Sequence, residues 1–242
     1  CDSPVIFPQI NAITKATPEN IIKPQRGRRV SDSYIQSSDC NLIQASNLIN
    51  NTTWTVNEEQ YSFVKECAEA RTSIMGLPYV FSDTFPTFTN EMSNQQKINV
   101  KKARAKLHSK RNRNTAQRVR LLSGLSMLHQ YAGKPCHFES KADFRGRLYL
   151  TSDLVSYQGP DWLRSLWQFY EGMPIETEEQ RNWLFIHTAN CYGHNRINYA
   201  DRISFVLKNK ENIIKIASSP WEHLSLLEEA ADPFRFLASC RE

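Results

Sequence analysis

The sequence of 242 residues lacks the features of membrane-spanning, secreted and disulfide-stabilised chains. It has no apolar run near the roughly 18 to 20 residues that a membrane-spanning helix requires, and its first residues lack the basic-then-apolar order of a signal peptide. Its six cysteines are widely spaced and form no C-x-x-C pair, so neither a disulfide framework nor a thiolate zinc site is indicated. With 40% hydrophobic and 23% charged residues, the composition predicts a soluble globular protein of a reducing compartment.

Acidic residues are absent from one long stretch, Met92 to Phe138, which holds 11 of the 30 Lys and Arg residues. The rest of the chain has 19 basic residues against 25 acidic ones, so the excess of positive charge is local. A solvated helix normally mixes the two signs, because like charges four residues apart repel each other. The stretch therefore predicts a surface that binds a polyanion, and an ordinary basic helix face is the alternative.

Helix-start signals recur along the chain, whereas strand signals are confined to one short region. Capping boxes and related starts are predicted at Thr55, Ser93, Thr177, Asn198 and Ser219, and Asp232 followed by Pro233 indicates one more helix. Short alternating stretches between Cys136 and Tyr157 predict strands and turns. The fold class expected is mainly α with a small β insert (α+β).

The chain divides into three regions. Residues 1–37 are rich in proline and predict irregular structure, residues 38–135 predict helices that include the basic stretch, and residues 136–242 combine strands with helices. Residues 77–92, rich in Pro, Thr and Phe, predict a loop. The first residue is not Met, and the last predicted helix has no C-terminal signal, so we expect a piece of a longer protein.

The most unusual local sequence runs from Asp143 to Tyr149, D-F-R-G-R-L-Y. Gly146 lets the backbone approach a bulky ligand, and the planar guanidinium of Arg147 suits two phosphate oxygens. Asp143 is able to hold that guanidinium in place. These residues predict a phosphate-binding turn, and a β-turn with a surface salt bridge is the alternative.

This segment resembles the D-x-x-G-R motif of the single-subunit DNA-directed RNA polymerases found in bacteriophages, mitochondria and mitochondrial plasmids. Other stretches resemble the same family in the same order, so the resemblance covers roughly residues 40 to 242. These stretches are residues 50–57, 158–159 with 161, 172–175, 183–184 with 186–187, 189–193, and 232–234 with 236–238. Phe144 stands where the family commonly has a tryptophan.

The resemblance implies an interior fragment of such a polymerase. Residues 38–135 would form a helical thumb-like region, and residues 136–242 would form the start of the palm, truncated at the C-terminus. The parent enzyme would be a nucleotidyltransferase that transcribes DNA into RNA from ribonucleoside triphosphates with Mg²⁺. A motif of the form D-G-S-C-S-G-I-Q-H, which carries the first metal-binding aspartate of the family, does not occur in this sequence. We therefore expect no catalytic residue and no metal ligand here, and an inactive fragment that binds template strand and RNA–DNA hybrid.

Specific residues follow from the resemblance and from the basic stretch. Arg164 falls where the phage enzymes have a lysine near the hybrid, and Arg196 falls where they have a lysine that faces the phosphates of the incoming nucleotide. Both arginines keep the charge and change the donor geometry. The residues expected to bind nucleic acid are Asp143, Gly146, Arg147, Arg164, Lys101 and Lys102. Arg196 is expected at the nucleotide phosphates.

Several alternatives accompany this interpretation. The chain could be a non-catalytic, basic helical nucleic-acid-binding protein, or the product of a degenerate polymerase gene. His187, Cys191 and His194 have the spacing of metal ligands, but Gly193 is predicted to end their helix before His194. A four-residue aromatic cluster predicts core, with base stacking as the alternative; it comprises Trp162, Trp167, Phe169 and Tyr170. We expect a monomer that is located in a mitochondrion and makes no membrane contact. We also expect that the last apolar residues of the chain lack a core to pack against; these are Phe234, Phe236 and Leu237.

Overall fold

The computed structural model describes residues 13–17, 21, 41–70, 72–143, 145–152 and 154–242. The helices are α1 (Asn41–Asn51), α2 (Glu58–Glu69), α3 (Asn94–Leu128), α4 (Asp161–Arg164), α5 (Glu178–Tyr192), α6 (Tyr199–Lys208), α7 (Lys210–Ser218), α8 (Leu224–Glu228) and α9 (Pro233–Arg241). The strands are β1 (Trp54–Val56), β2 (Ser140–Ala142), β3 (Leu148–Leu150) and β4 (Trp167–Phe169). Short 3₁₀ helices span His129–Tyr131 and Pro220–His223. The mainly α fold with a small β insert is confirmed. Most of the expected irregular segment 1–37 lies outside the described residues.

The strands form two small antiparallel sheets. β2 pairs with β3 in the expected region, with Ser140 opposite Leu150. β1 pairs with β4, with Trp54 opposite Phe169, and this second sheet was not expected from the sequence. It joins two parts of the chain that lie on either side of the long helix α3 in sequence.

Two of the predicted capping boxes are confirmed. At the start of α3, the Ser93 hydroxyl accepts from the backbone N–H of Gln96, and the Gln96 side chain accepts from the backbone of Ser93. Thr177 and Gln180 make the same exchange at the start of α5. These starts need only residues close in sequence, which explains why the local signal suffices.

The prediction that Thr55 caps α2 is wrong. Thr55 lies in β1, opposite Gln168, and the helix begins at Glu58. The cap is Asn57, whose side-chain oxygen accepts from the backbone N–H of Gln60 at 2.8 Å. Pairing with β4 holds the backbone extended through Val56, so the helix starts later than the box predicts. At Ser219, the predicted helix start with proline at its first position is confirmed as a 3₁₀ helix, but the predicted box is wrong because Ser219 makes no side-chain cap bond.

The core lies where α2, the end of α3, α4 and α9 meet. Its fully buried side chains include Val64, Leu121, Leu128, Phe138, Leu163, Leu166, Phe234 and Leu237. The expectation that Phe234, Phe236 and Leu237 have no core to join is therefore wrong, since all three are buried in this cluster. Helix α9 packs on α4, α5 and α7, which supply the apolar surface that it needs.

Only the last turns of helix α3 pack in the core. It has 35 residues, which corresponds to about 52 Å at the usual rise. Its buried residues are Leu121, Gly124, Leu125 and Leu128, and almost all side chains before them are exposed. In the described part of the chain, no helix has the length and apolar character needed to cross a membrane.

Residues 79–88, here called the strap, run along the exposed half of α3 in the opposite direction. Asn114 exchanges two hydrogen bonds with the backbone of Tyr79, and Lys110 forms an ion pair with Asp83 at 3.0 Å. Further along, the Phe85 ring stacks on His108, and Arg104 lies over the ring of Phe88. The loop expected at 77–92 is thus confirmed as irregular in structure, and it covers one face of the basic helix.

Candidate nucleic-acid interface

The D-x-x-G-R segment forms a tight turn between β2 and β3. The backbone N–H of Gly146 donates to the carbonyl of Asp143 at 3.0 Å, and that of Asp143 donates to the carbonyl of Arg147 at 2.9 Å. Gly146 has a φ of +76°, which a residue with a Cβ rarely adopts. Among the described residues, no atom beyond its two chain neighbours lies within 4 Å of the position that a Cβ would take on Gly146, so the described surroundings are open enough for close approach of a ligand. Phe144 lies outside the described residues.

Asp143 does not hold the guanidinium of Arg147, and that expectation is wrong. Its Oδ2 accepts from Nε of Arg145 at 2.9 Å and pairs with the same guanidinium at its second nitrogen. Its Oδ1 accepts from the backbone N–H groups of Arg145 and Arg147 at 2.9 and 3.0 Å. Desolvation acts to raise the pKa of Asp143, but the hydrogen bonds from Arg147 and Arg145 outweigh it, and the pKa lies below its ordinary value. The carboxylate therefore fixes the backbone of Arg147 and leaves its side chain exposed.

Six of the basic residues of α3 fall into two groups that the sequence did not separate. Arg104 and Lys110 face the strap, and Arg118 donates to the carbonyls of Ala68 and Pro78. At 100° per residue, Lys102, Lys106 and Arg113 lie on the opposite face of the helix, where their side chains are exposed. Lys101, the other residue expected to bind phosphate, is exposed at the border between the two faces.

Arg164, at the end of α4, lines a cleft of about 850 Å³. His187 of α5 and Arg235 of α9 line the same cleft, and the exposed rings of Phe169 and Tyr170 lie at its edge. Burial lowers the pKa of His187, and the charges of Arg235 and Arg164 lower it further. Two arginines and a histidine that is less readily protonated than usual therefore line the same cleft.

Arg196 lies in the turn between α5 and α6 and is exposed. Helix α5 ends at Gly193, whose φ is +125°, as the sequence predicts. His187 lies 3.5 Å from the thiol of Cys191, whereas the His194 ring packs against Phe205. The three candidate ligands therefore do not converge, and in the described ranges no three His, Cys, Asp or Glu side chains are grouped to hold a metal ion.

Sequence reasoning missed Asp161 as a structural residue. Its carboxylate accepts from the backbone N–H groups of Phe234 and Arg235 at 2.8 and 3.2 Å, and so caps α9 from another element. Asp232, the cap expected from the sequence, forms an ion pair with Arg235 instead. The signal available was the resemblance itself, which includes Asp161 among the matching residues.

Arg147, Arg164 and Arg196 thus lie on three separate elements, and the long helix α3 presents a further exposed cationic face. Comparison with known proteins shows which family the chain is similar to. Residues 175–242 match the family model of DNA-dependent RNA polymerase. The chain is also similar to individual DNA-directed RNA polymerases over most of its length.

The T7 RNA polymerase of Escherichia phage T7 is 30% identical over 218 residues, which cover 88% of this chain and 24% of the phage protein. The mitochondrial DNA-directed RNA polymerase of Schizosaccharomyces pombe is 25% identical over 83% of this chain and 18% of its own length. DNA-directed RNA polymerase 1, mitochondrial, of Arabidopsis thaliana is 28% identical over 82% of this chain and 21% of its own length. The resemblance to single-subunit DNA-directed RNA polymerases is confirmed, and the chain spans about a quarter or less of the length of these relatives.

Proposed function

We propose that this chain is part of a DNA-directed RNA polymerase and that it binds the DNA template and the RNA–DNA hybrid through phosphate contacts. The whole enzyme would be a nucleotidyltransferase that uses ribonucleoside triphosphates and Mg²⁺. No residue of this chain is assigned to the metal, because the described residues offer no suitable group of carboxylates. We propose residues 38–135 as the thumb-like region and residues 136–242 as the early palm.

The observation that carries the proposal is the exposed face of α3. Lys102, Lys106 and Arg113 lie on one face without any Asp or Glu in the helix. The strap covers the other face and engages cations there, so the uncovered face is the one available to a polyanion. Arg147 adds an exposed guanidinium on a turn whose backbone is fixed by Asp143.

A salt titration tests the proposal directly. The chain is titrated with an RNA–DNA hybrid and with single-stranded DNA, and the slope of log Kd against log salt is measured. The triple variant K102A/K106A/R113A should lower the affinity and reduce the slope by about two, since each phosphate contact contributes about 0.7 to 0.9 to the slope. The matched control K208A/K210A/K215A removes three exposed cations from α6 and α7 and should change both quantities much less. Equal losses in the two triple variants would contradict the proposed face.

The remaining assigned residues are tested in the same assay. Arg147→Lys keeps the charge and loses the fork that grips two phosphate oxygens, so it should weaken binding more than Lys101→Ala does. Arg164→Ala should weaken hybrid binding, and Arg196→Ala should instead raise the KM for nucleotides in a polymerase that contains this chain. A greater effect of Lys101→Ala than of Arg147→Lys would assign the main contact to the helix and not to the turn.

We also propose a mitochondrial setting and a monomeric state. Fungal and plant mitochondrial polymerases are among the relatives, although the phage enzymes are as similar. Cell fractionation and size-exclusion chromatography with light scattering test these two statements.

A further inference from the structure

The cleft beside Arg164 has an aromatic wall that the proposed phosphate contacts do not explain. The Trp54 ring stacks on Tyr157 with centroids 4.5 Å apart and packs on Phe169 at 4.6 Å. Phe169 nevertheless remains 60% exposed, and the next residue, Tyr170, is 45% exposed. One side of the Phe169 ring is therefore supported by protein, and much of the ring is open to solvent.

The position of these two rings is fixed by backbone pairing. Phe169 is held opposite Trp54 in the β1–β4 ladder, and the backbone N–H of Tyr170 donates to the carbonyl of Thr53 at 3.0 Å. A platform held in this way loses little conformational freedom when a planar ligand stacks on it. Burying these rings in the core of the same chain would require the ladder to shift.

The charges of the cleft favour a ligand with phosphate groups. Arg164 is exposed there, and among the residues that the structure describes it has no carboxylate partner. Arg235 lines the same cleft and is paired with Asp232 at 2.9 Å. Glu242 and His187 also line the cleft, and burial together with the charges of Arg235 and Arg164 lowers the pKa of His187. Arg164 is thus the cation available to an anion that enters beside the exposed rings.

We propose that Phe169 and Tyr170 form a stacking platform for unpaired bases of a single nucleic-acid strand whose backbone phosphate binds Arg164. Every base offers a π face, so the platform accepts any sequence. The inference rests on the proposed function, because it assigns one strand of the nucleic acid to this cleft. It also reverses the expectation that all four residues of the aromatic cluster are core, since only Trp162 and Trp167 are buried.

The test compares an oligothymidylate with an abasic strand of equal length, which carries the same phosphates and no bases. The wild-type chain should bind the base-bearing strand about fivefold more tightly, or better. Tyr170→Leu and the double variant F169L/Y170L keep apolar bulk and lose the aromatic faces. They should lose most of this difference while their affinity for the abasic strand stays unchanged.

Two controls make the result specific. Tyr199→Leu removes an aromatic ring of similar exposure, 56%, that lies on α6 and does not line the cleft, and it should leave the difference intact. Arg164→Ala should weaken both strands by a similar factor, because it removes a phosphate contact. Circular dichroism of each variant checks that the fold is retained, and Tyr170→Leu alone suffices if the double variant unfolds.

The outcomes separate this inference from the proposed function. Equal binding of the two strands by the wild-type chain would overturn the stacking platform and leave phosphate binding intact, and the exposed rings would then fit a protein surface instead. Retention of the difference in F169L/Y170L would also overturn it. Failure of either strand to bind at any salt concentration would overturn the proposed function together with the platform. An oligouridylate in place of the oligothymidylate shows whether the platform takes RNA or DNA more tightly.

Discussion

The carboxylate of Asp161 accepts a hydrogen bond from the backbone N–H of Phe234 at 2.8 Å, although 73 residues separate them in sequence. Its second oxygen accepts from the backbone N–H of Arg235 at 3.2 Å. Asp161 is the first residue of α4, and these two N–H groups belong to the first turn of α9. One side chain therefore joins the starts of two helices and satisfies donors that helix α9 leaves unpaired.

The first prediction is that the titration of Asp161 makes the free energy of unfolding of the chain depend on pH. Burial raises the pKa of Asp161 to about 6, with Asp232 adding to the increase, although the hydrogen bonds from Phe234 and Arg235 and the charge of Arg235 oppose it. Because this pKa is above the ordinary value, the charged form is disfavoured by folding, and stability is lost as pH rises from about 4 to about 6. Asp161→Asn cannot titrate.

The free energy of unfolding of Asp161→Asn should therefore improve relative to wild type as pH rises through this range, by at most about 3 kcal/mol. Urea denaturation at about pH 4 and about pH 7 measures it. Because the other carboxylates titrate in both proteins, their contribution cancels in the difference between the free energies of unfolding of wild type and Asp161→Asn. A difference that does not change with pH would show that the Asp161 carboxyl titrates in its ordinary range.

The second prediction concerns the start of α2 and distinguishes Asn57 from Thr55 as its capping residue. Asn57→Ala removes the bond to Gln60 and a second bond to the Gln168 side chain, both 2.8 Å long, and should destabilise the chain by about 1–2 kcal/mol. Thr55→Val should be neutral or stabilising, because the Thr55 hydroxyl is buried and has no partner among the described residues. Denaturant unfolding of both variants is the measurement. A loss of about 1 kcal/mol in Thr55→Val would restore Thr55 as the capping residue.

The caps show which parts of the fold the sequence could reveal. Ser93 and Thr177 were predicted correctly because their partners lie three residues away. The true start of α2 depends on the β1–β4 ladder, and Asn57 reaches Gln168 across 111 residues. The cap of α9 similarly depends on Asp161. Contacts of this range are set by tertiary packing, which overrides a local signal.

The candidate site was predictable to a similar degree. The turn at Gly146 follows from a local motif, but the side chain that Asp143 holds does not. Asp143 accepts from both the backbone N–H and the guanidinium of Arg145, and the motif itself does not show which of the two arginines the carboxylate would take. The exposure of Phe169 depends on β4, which has no sequence signal of its own. The division of α3 into two faces depends on the strap, whose irregular structure was predicted but whose position along α3 was not.

The thiols give a third prediction. Burial is the main cause that raises the pKa of four cysteines: to about 12 for Cys67, Cys136 and Cys240, and to about 11 for Cys191. Since the thiolate is the reactive form, these four groups should react slowly with a disulfide reagent at about pH 8 in the folded chain. The measurement uses the variant C1S/C40S, so that the reagent reacts only with the four cysteines named above.

In denaturant, all four thiols of the same variant should react rapidly, and the reagent should release four equivalents of its chromophore per chain. Fast labelling of the folded chain would mean that the core around these cysteines opens often. The comparison of folded and denatured rates therefore also reports the local stability of the core around these cysteines.

The final prediction concerns how Asp143 supports Arg147. Its Oδ1 accepts from the backbone N–H of Arg147, so Asp143→Ala should accelerate hydrogen exchange at that amide. Arg145→Ala should change this exchange little, because the Arg145 guanidinium binds mainly the other oxygen, Oδ2. Asp143→Asn keeps an oxygen that accepts from the backbone, and it should retain most of the protection while losing the ion pair. Since the pKa of Asp143 is lowered, the contribution is present at neutral pH and is lost only as pH falls through that lowered pKa. Amide exchange followed by NMR distinguishes the three variants, and equal acceleration in Asp143→Ala and Arg145→Ala would mean that the ion pair, and not the backbone hydrogen bond, holds Arg147 in place.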